Sequence, residues 1–70
     1  MKLTEIKLKK ILKNSPYSSP LVNVFLRENS IEIVGKVSTF FQKQMIGELF
    51  IGFVLNNNQK FIIKNKLLVT

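Results

Sequence analysis

The sequence predicts an α+β domain of order αββαβ, with two helices packed on one face of a three-stranded mixed sheet. Three stretches carry that prediction. Ile31-Glu32-Ile33-Val34-Gly35-Lys36-Val37 alternates with the period of a strand. Phe40 to Leu55 then carries bulky apolar residues at helical spacing. After Asn56-Asn57-Asn58, the segment Phe61 to Val69 alternates again. Strand, helix and strand in succession form a crossover unit, which should be right-handed with its two strands parallel. Seventy residues allow a single domain, residues 1–70, with a thin stability margin.

The first helix starts at Thr4, an N-cap residue, with Leu3 and Leu8 at the spacing of a hydrophobic staple. Leu8, Ile11 and Leu12 fall on one helical face and Lys2, Lys9 and Lys13 on the opposite one, with Ile6 nearer the lysines. Asn14-Ser15-Pro16 ends the helix, because the residue before a proline resists helical geometry. Tyr17 should pack its ring against the helix end. Leu21 to Leu26 is the first strand: Val22, Val24 and Leu26 face one way, Asn23, Phe25 and Arg27 the other. The turn Arg27-Glu28-Asn29-Ser30 returns the chain at once, so the next strand pairs antiparallel with the first. On it, Ile31, Ile33 and Val37 point inward; Glu32, Val34 and Lys36 point outward. Gly35 shares the inward side, where it either makes room for a helix side chain or marks a bulge.

Thr39 and Gln42 have the spacing of a capping box for the second helix. Met45, Ile46, Leu49, Phe50 and Phe53 make its core stripe, with Phe41 and Val54 at the edge. The far side carries Phe40, Ile51 and Leu55 beside Glu48. A helix that is apolar nearly all round is normally covered on both sides. In a chain this small the second cover has to come from another molecule, so a homo-oligomer, a dimer in the first instance, is expected through Phe40, Ile51 and Leu55. On the last strand, Phe61, Ile63, Leu67 and Val69 face inward with Asn65 among them; Lys60, Ile62, Lys64, Lys66 and Leu68 face outward. Ile33, Phe53 and Ile63 are core candidates, one from each of three elements.

The residue inventory argues against an enzyme. There is no cysteine or histidine, which removes thiolate nucleophiles, Cys-type metal sites and the commonest general base. The four carboxylates, Glu5, Glu28, Glu32 and Glu48, fall on three elements and a turn. Gly35, Gly47 and Gly52 fit no phosphate-binding loop. No catalytic residue, metal ligand or cofactor is therefore assigned.

A net charge of +7 and a pI of 10.1 favour polyanionic partners. Lysine supplies ten of the eleven positive charges, and the same excess is what A/T-rich coding DNA produces. Both readings of the lysines stand. Arg27, Lys36, Lys64 and Lys66 are the candidates for anion binding on the open sheet face, with Phe25, Val34, Ile62 and Leu68 between them. The alternative is that these lysines keep an open sheet from edge pairing. A basic sheet also suits RNA, although Phe25 is the one aromatic placed there and no RNA-recognition signature is present. The Met1 end has no signal-peptide h-region, and the longest apolar run, Leu49 to Leu55, is far short of a membrane span.

Ile31-x-Ile33-x-Gly35-x-Val37 before the second helix and Ile63-x-Asn65-x-Leu67-x-Val69 at the end resemble the BON domain. That small αββαβ module belongs to bacterial envelope and osmotic-stress proteins, and the resemblance spans almost the whole chain. It implies attachment to phospholipid membranes or envelope protein partners, without catalysis, and a setting in the cell envelope or periplasm.

Overall fold

The computed structural model describes residues 4–17, 19–56 and 60–70. The element order is α1 (Glu5–Lys13), β1 (Val22–Leu26), β2 (Ser30–Val37), α2 (Phe40–Asn56) and β3 (Ile62–Val69). The strands lie in the order β1-β2-β3; β1 pairs antiparallel with β2, and β2 pairs parallel with β3. The sheet is therefore mixed, with both helices on one face, as the alternating and helical periods predict. The proposed Leu3 staple, Lys2, and Asn57 and Asn58 after α2 lie outside the described residues.

Local chemistry explains the element ends. The Thr4 hydroxyl accepts from Lys7 N–H at 3.3 Å and caps α1. Ser15 closes the other end, with its N–H and its hydroxyl both donating to Leu12 O. At α2, Thr39 Oγ1 accepts from Gln42 N–H at 3.1 Å, and the Gln42 side chain reaches back to Ser38 N–H at 3.0 Å. That is the expected capping box, closed one residue earlier than the standard pattern. The β1–β2 hairpin is shut by Arg27 N–H donating to Ser30 O, leaving Glu28 and Asn29 as a two-residue turn. Asn29 O then accepts from Ile62 N–H, which ties the start of β3 to that turn.

The core is built from the inward sets: Leu8 and Leu12 of α1, Val22 and Val24 of β1, Ile31, Ile33 and Val37 of β2, Ile46, Phe50 and Val54 of α2, and Leu67 of β3. Ile33 is fully buried, whereas Phe53 and Ile63 are half-buried and pack against the core from its margin. Two expectations about α2 need correcting. Val54 belongs to the core, and Phe41 is exposed, touched edge-on by Tyr17 with ring centroids 6.4 Å apart. The buried line Ile46, Phe50, Val54 runs at i, i+4, i+8, so the helix is rolled by part of a turn from the centre of its apolar stripe.

Gly35 has a third explanation, neither a helix side chain nor a bulge. Its φ is +129°, and the pairing passes through it without an extra residue, Val22 opposite Gly35 and Lys36 N–H on Leu21 O at 3.1 Å. A Cβ there would stand 1.9 Å from the Leu21 carbonyl oxygen. The glycine makes room for β-sheet backbone.

Gly52 sits differently, on a side of α2 where an added Cβ meets nothing within 4 Å. An alanine at that helix-interior position lowers the backbone entropy of the unfolded chain at no steric cost. Gly52→Ala should stabilise the fold by about 0.5–1 kcal/mol. In a domain this small, 1 kcal/mol raises the unfolding midpoint by about 4–8 °C, which a thermal melt followed by circular dichroism resolves. A lowered midpoint would mean that this side of α2 is packed.

Candidate functional site

The face of the sheet remote from the helices is built by the outward set of each strand. The parallel register sets Ser30 beside Ile62, Glu32 beside Lys64, Val34 beside Lys66 and Lys36 beside Leu68. On the other side, Phe25 stands opposite Glu32 and Asn23 opposite Val34. Ile62 and Leu68, both 61% exposed, mark the two ends of the β3 row, and Lys64 and Lys66 lie between them. Six residues of strand separate the two apolar ends by about 20 Å.

The four candidate cations are on this face and its rim, but they are not equivalent. Glu32, on the central strand with 16% of its side chain exposed, lies 3.5 Å from Arg27 Nε and 3.7 Å from Lys66 Nζ. Partly exposed pairs of this kind contribute about 0–1 kcal/mol each. Their consequence here is positional, because they draw Arg27 and Lys66 toward a carboxylate. Lys36 and Lys64 are exposed and make no ion pair among the described residues.

Phe25 is half-buried, and two cations lie over its ring: Lys9 Nζ at 5.4 Å and Arg27 Cζ at 5.5 Å from the centroid. Such contacts contribute about 0.5–1 kcal/mol at exposed sites. Lys9 was expected on the side opposite the open face; instead it reaches over the β1 edge. Its backbone position explains this. Glu5, one turn earlier, accepts from Leu26 N–H at 2.8 Å, which docks α1 along β1 and brings the lysine to the rim. The sequence signal for this pairing is weak, since the glutamate is 21 residues from its partner.

Asn65, the polar member of the inward set of β3, is also placed by the fold. Its Nδ2 donates to Lys43 O at 2.8 Å and its Oδ1 accepts from Leu67 N–H at 3.2 Å. A Cβ on Gly47 would come within 2.8 Å of that Nδ2, so the glycine lets the amide reach the helix backbone.

Phe40, Ile51 and Leu55, the self-association candidates, are 75%, 45% and 71% exposed on α2. Clefts of about 130 Å³ beside Tyr17, Lys36 and Thr70 and about 250 Å³ between α1 and β1 fall below the size of usual small-ligand pockets, about 300–1,000 Å³. Among the described residues no group of three His, Cys, Asp or Glu side chains is placed to hold a metal, and no helix is long and apolar enough to cross a membrane. The chain matches no protein-family model, no curated protein and no solved structure with which it was compared.

Proposed function

We propose that this chain is a non-enzymatic binding module whose open sheet face adsorbs to an anionic phospholipid surface. The observation that carries this reading is the row Ile62, Lys64, Lys66, Leu68. Two exposed aliphatic side chains flank cations along one strand, and Lys36 stands beside Leu68. Lysines near an anionic bilayer contribute roughly 1 kcal/mol each, and shallow aliphatic contact adds to that. The αββαβ order is also the one implied by the BON resemblance, which supports the reading at the level of fold and suggests the bacterial cell envelope as its setting. RNA binding has less support: the aromatic ring on this face, Phe25, is covered by Lys9 and Arg27 rather than left open for a base.

The test is co-sedimentation with anionic and neutral vesicles across a salt series. Binding should favour the anionic vesicles and fall steeply toward physiological salt, where the Debye length is about 8 Å. Lys36→Gln with Lys64→Gln removes the two of the four candidate cations that make no ion pair among the described residues, and should weaken binding about 30-fold. Glu32→Gln should strengthen binding, because it releases Arg27 and Lys66. The control is Lys10→Gln with Lys13→Gln, on exposed positions of α1. Lys9 does not serve as a control, given its place over Phe25. Equal losses from both double variants would leave net charge as the whole effect and overturn the assigned face. Tighter binding to RNA than to any vesicle at matched salt would transfer the assignment to nucleic acid.

A further inference from the structure

The two edges of the sheet are finished differently. On β1 the N–H groups that point away from β2 all have acceptors: Val22 N–H donates to Ser19 O at 3.1 Å, Val24 N–H to Asn23 Oδ1 at 2.9 Å, and Leu26 N–H to Glu5 Oε1 at 2.8 Å. An edge closed in this way cannot template another strand. On β3 the even-numbered residues bond toward β2, as Ile62 N–H on Asn29 O and Thr70 N–H on Val37 O show at its two ends. The odd-numbered residues therefore turn their N–H and C=O groups outward. Of these donors, Leu67 N–H is taken by Asn65 Oδ1, and the outer side of β3 pairs with no strand among the described residues.

Two further observations coincide at this edge. The inward side chains of β3 are covered unevenly: Leu67 is buried, whereas Ile63, Asn65 and Val69 are half-buried. The helix layer thus covers β3 at Leu67 and leaves the rest of its inward row partly open to solvent. In addition, α2 meets β3 through Lys43 and Gly47, which contact Asn65, and meets α1 on its other flank, where Lys7 Nζ lies over Phe53. At 100° per residue, Phe40, Ile51 and Leu55 follow Gly47 round the helix on the flank remote from α1. The exposed apolar flank of α2 therefore overhangs the unpaired edge of β3.

We propose that the outer edge of β3 is a docking site for an extended acidic segment of a protein partner, which adds a fourth strand to the sheet. The added strand would place alternate side chains beneath the α2 overhang and the others beside Ile62, Lys64, Lys66 and Leu68. Its pattern is accordingly apolar residues on one face and Asp or Glu on the other. Charge selects this occupant over a second copy of the chain. In a two-fold antiparallel pairing, the two registers with the fullest overlap of Ile62–Val69 are centred on Asn65, where Lys64 of each copy faces Lys66 of the other, and on Lys66, which then faces its own copy. Like charges directly opposite are destabilising. Carboxylates in those positions meet Lys64, which has no ion partner among the described residues, and Lys66, which has only Glu32. The proposal uses the edge of the sheet and does not depend on lipid binding by its face.

An eight-residue peptide of alternating valine and glutamate tests this, compared with the same peptide carrying lysine in place of glutamate. Fluorescence anisotropy should show the glutamate peptide binding about tenfold or more tightly than the lysine peptide. Lys64→Glu with Lys66→Glu should reverse that preference. Amide hydrogen exchange locates the peptide: Ile63, Asn65 and Val69 N–H should exchange fast in the free protein and slow on adding the glutamate peptide. The proposal is overturned if the peptide binds without slowing those three amides, or if it does not bind. It is also overturned if the three amides are already slowed in the free protein in step with its concentration, since the occupant is then a second copy. Vesicle binding that persists in either case leaves the lipid reading standing on its own.

Discussion

Gly35→Ala should abolish cooperative folding at room temperature, although it adds a single methyl group. At φ +129° an L-residue is held in a sparsely populated conformation, which costs about 1–3 kcal/mol. The new Cβ would also stand 1.9 Å from the Leu21 carbonyl oxygen, and 2.9 Å from Leu21 C and Val22 Cα. These neighbours are backbone and have no rotamer by which to retreat. Relief requires β1 to lift from β2 at its first residues, where Lys36 N–H donates to Leu21 O and where buried Val22 enters the core. Forced overpacking adds about 1–3 kcal/mol. A single-core domain of this size has only about 3–5 kcal/mol in all. Loss of the thermal transition by circular dichroism is the expected result. Retention of a midpoint within a few degrees of the parent would mean that β1 does not begin at the position described.

Phe50→Ala carries the second large effect. Phe50 is the largest fully buried side chain and lies at the middle of the α2 line that faces the sheet. Truncation leaves a cavity among Ile46, Val54 and the inward residues of β2 and β3, a change that costs about 3–5 kcal/mol in other cores. That again matches the whole margin. Phe40→Ala, in the first turn of the same helix, is the internal comparison. Phe40 is exposed, so its loss should stay within about 0.5 kcal/mol. Chemical denaturation of the two variants side by side measures the difference. Similar destabilisation by both would mean that α2 is rolled away from the face described. By the same logic Ile33→Ala should be severe, and Phe53→Ala and Ile63→Ala milder than core status alone suggests, since both sit at the margin.

Much of the fold and part of the candidate face are legible in the order of residues. A strand or a helix prints its period on the sequence, so the five elements, their inward and outward sets and the outward placement of Lys36, Lys64, Lys66, Ile62 and Leu68 follow from alternation and turn chemistry. Caps follow as well, because Thr4, Thr39 and Gln42 act within a few residues of themselves. The exposure of Phe40, Ile51 and Leu55 is readable for the same reason, as a second apolar side on one helix.

What the tertiary structure decides is every relation between elements. The roll of α2 takes Val54 from the edge of the apolar stripe into the core and leaves Phe41 on the surface, since a helix apolar nearly all round has no strong preferred face of its own. The docking of α1 through Glu5 carries Lys9 over Phe25. The parallel register of β2 and β3 brings Lys66 within reach of Glu32 and makes Lys64 and Lys36 the freer cations. The approach of Leu21 gives Gly35 its meaning, and the approach of Asn65 gives Gly47 its own. Periodicity reports the phase of one element about its own axis. These contacts depend on how far apart two elements lie, at what angle and in what register, and those quantities are set only when the whole core packs at once.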